Sequence, residues 1–402
     1  MTDVSTLRPA TSGDSVDGVV PHHLVEPENP EGFARTLAGA STDRLQTVIR
    51  GGGSKIDWGR PASRIDLLIS TARLNRLVAH RHGDLTATVQ AGMRRADFNA
   101  ALRSQRQWLP VESAFAAATI GGIVATNDAG PSRHRNGTPR DLVIGITLAL
   151  TDGRLVKAGG TVVKNVAGYD LGKLVSGSHG TLAGIVDVTF KLVPIPAVSS
   201  TLVVTYGDPA RLSADVAALS GSQVEPAAFD ILVDGETYSM MVRIATSPAA
   251  TDAQIAAARA MVSGDARVVT ADDETAVWDG QLHRAWSEKG VVVRLSWLPA
   301  NLLEVLKLAA DLNRSGTPAL LTGRALGAGL LRLGGDATTQ AAAVQRLRST
   351  VSVGHVVVLR APTALKAAVD VWGPERSSDT VARAIKKAFD PSGVLNAGRG
   401  PV

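Results

Sequence analysis

The chain has 402 residues, 45% of them hydrophobic and 4% aromatic, enough Val, Leu, Ile and Ala to core two or three domains. Its net charge of +5 comes from 42 scattered basic residues, without the clustered Lys/Arg and interleaved aromatics of a nucleic-acid surface. It has no cysteine, which excludes disulfides, thiolate metal sites, a cysteine nucleophile and any iron–sulfur cluster ligated by this chain.

Residues 1–20 are polar, rich in Ser, Thr, Asp and Gly, and read as a disordered leader without the regions of a secretory signal. No run reaches the ~18–20 apolar residues of a membrane span. The expected location is cytoplasmic, with any membrane attachment made through a surface or a partner. His22 and His23 have no third ligand spaced nearby and read as an extended surface segment. Residues 30–40 read as a helix, with Pro30 in its first turn and Gly39 at its end.

Residues 45–49 read as a short strand running into Arg50, Gly51, Gly52, Gly53, Ser54 and Lys55. Three glycines remove every Cβ from one turn of backbone. The stretch is either a phosphate-binding nest, with Ser54 as a further donor and Arg50 or Lys55 as a charge, or a flexible turn.

Strands follow at 64–70, 75–80 and 85–92, then a helix at 95–102 and a closing segment at 108–112. Small residues dominate 117–130. A helix N-terminus at 119–122 would offer free N–H groups to a second face of the same anion, while tight helix–sheet packing favours the same residue types. A strand at 140–150 turns at Asp152 and Gly153 and returns at 155–158. Residues 164–171 precede a third glycine-rich loop at 174–184, which runs into a strand at 185–192. Pro194 and Pro196 mark a domain boundary.

Residues 197–375 read as two passes of β-α-β-β-α. Strands at 202–206, 229–232 and 240–244 alternate with helices at 209–219 and 252–263. Strands at 291–297, 319–321, 328–333 and 355–359 alternate with helices at 301–312 and 340–348. This pattern predicts a duplicated α+β layer on an antiparallel sheet. Residues 379–389 form an amphipathic helix with Lys386 and Lys387 near its C-terminal end.

Four motifs in order, RGGGSK at 50–55, ATIGGIVATNDAGPSRHRNGTPRDLVIG at 118–145, VVKNVAGYDLGKLVSGSHGTLAGIVDVTFKLVP at 162–194 and FDPSGVLNAGR at 389–399, carry a resemblance. From about residue 20 to 400 the chain resembles FAD-linked oxidases of the vanillyl-alcohol-oxidase type, which have a PCMH-type FAD-binding domain. More narrowly it is similar to the FAD-binding (E) subunit of bacterial glycolate oxidase.

The resemblance implies an α+β architecture: an FAD-binding domain at 21–195, a cap at 196–375 with an antiparallel sheet covered by helices, and a segment at 376–402 returning to the FAD domain. It implies Gly51, Gly52, Gly53 and Ser54 as donors to the FAD pyrophosphate, and Thr119, Gly121, Gly122 and Asn127 along the pyrophosphate and ribityl side. It implies Gly177, Gly180, Gly184, Ile185 and Val186 beside the adenine and flavin ring edges, and Asn396 near the flavin or bracing its pocket. Ser54 and Lys55 stand where some relatives tether the flavin through a histidine, so non-covalent FAD is expected.

Relatives that oxidise 2-hydroxy acids on one chain commonly carry H-x-G-D-G-N-x-H in the cap, whose histidines bind a metal. Residues 323–332 keep the glycines, but Arg324 and Arg332 replace the histidines and no carboxylate remains, so no metal is expected. His179 and Arg324 are the weak catalytic candidates. The expected role is the FAD-binding subunit of a glycolate-oxidase-like complex, with a sister FAD-linked subunit oxidising a small 2-hydroxy acid and an iron–sulfur subunit taking the electrons. The alternatives are a self-sufficient FAD oxidoreductase, with His283, Arg294 or Arg324 as base or anion anchor, and a non-catalytic FAD-binding scaffold.

Overall fold

The computed structural model describes residues 7–162 and 168–401. They divide into two compact units. The first comprises the chain up to Ala129, Gly137–Ile195 and the residues from Glu375; the second comprises Gly130–Asn136 and Pro196–Pro374.

In the first unit, strands β1 (Arg8–Pro9), β2 (His23–Val25), β3 (Thr47–Arg50) and β4 (Leu67–Ser70) form a sheet in the order β1-β2-β4-β3. β4 runs parallel to both β2 and β3 and is buried at every position, so it shows no polar alternation. The helix Pro30–Thr42 links β2 to β3. Asn29 caps it by accepting from the Gly32 N–H at 2.8 Å, and Phe33, Leu37 and Ala40 bury its inner face. The expected stop at Gly39 is corrected. The helix continues to Thr42 because burial of Ala40 offsets the roughly 1 kcal/mol that a helical glycine costs.

A second sheet contains β5 (Leu77–Arg81), β6 (Thr86–Gln90), β8 (Val143–Ala149), β9 (Leu155–Gly159) and β10 (Gly184–Lys191), antiparallel in the order β5-β6-β10-β8-β9. A short ribbon pairs β7 (Gln107–Trp108) with β11 (Val193–Pro194). The long strand expected from residue 140 starts only at Val143, because Pro139–Leu142 is a helical turn behind a Thr138–Asp141 capping box.

The expected disordered leader is also corrected where it is described. β1 pairs with β2, Val16 is fully buried, and Asp14 accepts hydrogen bonds from Arg8 and Arg50. Residues 1–6 of that expectation, and 163–167 of the third motif, lie outside the described residues.

The second unit is one eight-stranded sheet in the order β15-β12-β14-β13-β17-β18-β16-β19. Its strands are β12 (Val198–Tyr206), β13 (Ala228–Asp234), β14 (Thr237–Thr246), β15 (Asp265–Thr270), β16 (Val291–Ser296), β17 (Ala319–Arg324), β18 (Ala328–Leu333) and β19 (His355–Arg360). Two β-α-β-β-α-β passes therefore meet edge to edge at β13 and β17, antiparallel throughout. Inward residues such as Phe229, Ile231, Val293 and Leu321 share one core with Leu212, Val305 and Val344 of the helices.

This unit differs from the sequence expectation in several features, a short helix at Thr363–Ala368 among them. β15 and the helix Ala271–His283 are additional. That helix is acidic in its first turn and buries Glu274 and Gln281 beside Trp278, so it lacks the apolar stripe that announces a helix. Gly130–Asn136, from the middle of the second motif, also belongs here, with the His134 ring 5.8 Å from that of Phe229.

Candidate functional site

The first unit contains a mostly apolar cavity, the kind of concave surface on which small-molecule sites are built. All three glycine-rich loops reach it. β3 delivers the first, and Arg50 at its end is fixed by Asp14 at 2.9 Å. Beyond Arg50, the N–H groups of Gly51, Gly52, Gly53 and Ser54 donate to no acceptor among the described residues. Four successive unpaired donors on a cavity wall make an anion nest.

The glycines there serve two ends. Gly53 has φ +72° and uses the left-handed region. A Cβ on Gly52 would lie 1.6 Å from the Ala117 carbonyl oxygen, and one on Gly51 would lie 2.1 Å from Thr119 Oγ1. These two residues are small because the second loop occupies their side-chain space.

Thr119 caps the helix Ile120–Thr126. The expectation of free N–H groups at its start is corrected. Ile120 N–H donates to Met93 O at 2.9 Å, Gly121 N–H to Ala91 O at 2.7 Å, and Gly122 N–H to Thr119 Oγ1 at 3.4 Å. The loop offers the cavity a smooth surface rather than donors. Thr119, Gly121, Gly122, Ala125 and Thr126 line it. Tight packing explains Gly121, whose Cβ would meet that of Ala91 at 2.8 Å.

The third loop brings His179, Gly180 and Ile185 to the wall, and the C-terminal motif brings Asn396. Four predicted residues stand back from it. Asn127 takes a left-handed φ of +48°, closes the second-loop helix and accepts from Arg140 N–H at 3.1 Å. Gly177 turns at φ +82° behind it. Gly184 leaves room for Phe33, whose ring a Cβ would approach to 2.5 Å, and Val186 is fully buried in the same core.

The cavity also has walls outside the expected cofactor residues: Ile49, Trp58, Thr71, Ala91 and Arg399. Trp58 stands edge-on to Phe115 at 6.3 Å and lies 6.4 Å from His179. Burial pushes the Arg399 guanidinium below its ordinary value. Lys55, foreseen as a charge for the anion, is instead paired with Asp128 of the second loop at 2.7 Å.

Arg324 lies on β17 of the second unit, where its Nε donates to Gly130 O at 3.2 Å. Arg332 pairs with Glu288 at 2.9 Å. The glycines of this stretch make room for Trp297: a Cβ on Gly327 would lie 2.1 Å from its carbonyl oxygen, and one on Gly323 or Gly329 3.0 Å from its ring. Among the described residues no helix is long and apolar enough to cross a membrane.

Comparison with known proteins is consistent with this geometry. Residues 21–159 match the family described as an FAD binding domain. The chain is 31% identical over 214 residues to glycolate oxidase subunit GlcD of Bacillus subtilis, covering 53% of this chain and 46% of that protein. It is 37% identical over 165 residues to glycolate oxidase subunit GlcE of Escherichia coli, covering 40% and 47%. The chain thus spans about half the length of these two relatives. A D-2-hydroxyglutarate dehydrogenase of Xanthomonas citri pv. viticola is 28% identical over a 429-residue alignment covering 94% of this chain and 89% of that protein. Among solved structures, alkyldihydroxyacetonephosphate synthase superposes with a TM-score of 0.70 at 16% identity, covering 94% of this chain and 77% of that one. At that identity the shared property is the fold.

Proposed function

We propose that this chain, which carries an FAD binding domain at residues 21–159, is the FAD-binding subunit of a 2-hydroxy acid dehydrogenase complex of the glycolate-oxidase kind. The reading is carried by the four unpaired N–H groups from Gly51 to Ser54 on the wall of a cavity shared with the other two loops. FAD, when bound, supplies the two-electron redox chemistry. The chain's own residues bind, orient and shield it without a covalent link. Gly51 to Ser54 hold the pyrophosphate. Thr119, Gly121 and Gly122 give it a flat wall. Gly180 and Ile185 border the rings, with Asn396 bracing them. Trp58 excludes water, and His179 is the ring neighbour with a titratable proton. Asn127, Gly177, Gly184 and Val186 support these walls from behind.

In this reading a sister FAD-linked subunit oxidises the 2-hydroxy acid to the 2-oxo acid, releasing two electrons and two protons. An iron–sulfur subunit carries the electrons away, since this chain has no cysteine to ligate a cluster. The likeness to glycolate oxidase subunits supports it. A self-sufficient FAD oxidoreductase is the second reading, favoured by the alignment with D-2-hydroxyglutarate dehydrogenase over 94% of this chain. One experiment separates them: the chain is expressed alone, loaded with FAD, and assayed with glycolate, lactate and 2-hydroxyglutarate and an artificial electron acceptor. Turnover only after partner subunits are added is expected. Robust turnover by the isolated chain overturns the subunit reading.

A further inference from the structure

We infer that Arg399 is a positioning residue for the cofactor cradle. Its guanidinium sets the turn at residues 56–60, and with it Trp58, against the cavity, so that FAD affinity depends on the seating of the C-terminal segment. The inference rests on the FAD reading above and identifies what holds that cradle together.

Arg399 is 5% exposed. Its Nη2 donates to Ile56 O at 2.5 Å and Trp58 O at 3.1 Å, its Nε to Arg60 O at 3.3 Å, and its Nη1 to Asn396 Oδ1 at 3.2 Å. The turn reciprocates: Arg60 N–H donates to Arg399 O at 3.1 Å, and Arg60 Nη1 donates to Gly400 O. Asn396 then donates from Nδ2 to His179 O at 2.7 Å, which ties in the third loop.

The segment is itself anchored. Val394 and Leu395 are buried, Thr47 N–H donates to Val394 O, and Asn396 N–H donates to Thr47 O, both at 2.8 Å. Residues 394–400 thus run beside the strand that delivers the glycine loop, and they hold both the turn that follows it and the loop opposite. A planar fork with five N–H groups suits carbonyls that diverge over five residues. An ammonium, with three donors at one point, cannot span them.

The test uses the full chain as wild type, Arg399→Lys and Arg399→Gln. It measures FAD dissociation constants, far-UV circular dichroism, and tryptic cleavage after Lys55 with and without FAD. Both variants are expected to keep native dichroism and to bind FAD at least tenfold more weakly. They should also show new cleavage after Lys55 that excess FAD suppresses. If Arg399→Gln does not fold, Arg399→Lys decides alone. FAD affinity within twofold of wild type, or weakened affinity without new cleavage after Lys55, overturns the inference. A wild-type chain that takes up no FAD overturns the cofactor reading, and the linkage with it.

Discussion

Lys55 Nζ lies 2.7 Å from Asp128 Oδ2, an ion pair that joins the first glycine-rich loop to the second. The Lys55 side chain is 5% exposed, with its ammonium 5.9 Å from the centre of the Trp58 ring and 5.5 Å from that of Phe115. Ser113 Oγ donates to the same carboxylate oxygen at 2.6 Å. Removing one partner of such a pair leaves a charge without compensation. Asp128→Asn should lower stability by about 2–3 kcal/mol, at the low end for buried pairs because Asp128 keeps some water. Urea unfolding of the apo-protein measures this. Replacing both residues by apolar ones of similar volume should recover most of the loss.

Gly52 and Gly53 separate close packing from backbone conformation. Gly52→Ala places a methyl where the Ala117 carbonyl stands, so the two loops must part. Its expected cost is about 3 kcal/mol, with FAD affinity falling more than tenfold. Gly53→Ala meets only Arg50 Cδ at 3.7 Å, and its cost is the left-handed φ, about 1 kcal/mol. Thermal melts and FAD titrations of the two variants should rank them in that order.

Burial pushes the Asp187 carboxyl above its ordinary 3.8, against the opposing hydrogen bond from Thr147 Oγ1 at 2.9 Å. Between 3.8 and the raised value the folded chain binds more protons than the unfolded one, so this group costs stability as pH rises through that window. Asp187→Asn keeps an acceptor for Thr147 and removes the charge. Its Tm should exceed that of wild type at pH 7, and the gap should close as pH falls to 3.8. A constant gap across that range would contradict this assignment.

Much of this was legible in the residues. The repeated strand and helix pattern of 197–375 predicted the doubled antiparallel layer, because each strand carries one inward apolar face. The three loops were visible as runs of small residues, and ten of the fourteen predicted cofactor residues line one cavity. What stayed hidden is contact across long sequence distance. Nothing local says that Gly52 faces Ala117, that Gly184 faces Phe33, or that Gly327 faces the Trp297 carbonyl, so a glycine shaped by packing looks like one shaped by a ligand. Arg399 ends the terminal motif, yet its role appears only when the turn at 56–60 folds over it. The helix Ala271–His283 was hidden because its buried side is partly polar.

In the proposed reading, three loops of the first unit hold FAD without a covalent link. Titration of the purified apo-chain with FAD, followed by its visible absorbance and by release on denaturation, tests it most directly. Saturable uptake of one FAD per chain and full release of free flavin on unfolding are expected. A folded chain that takes up no FAD would contradict it.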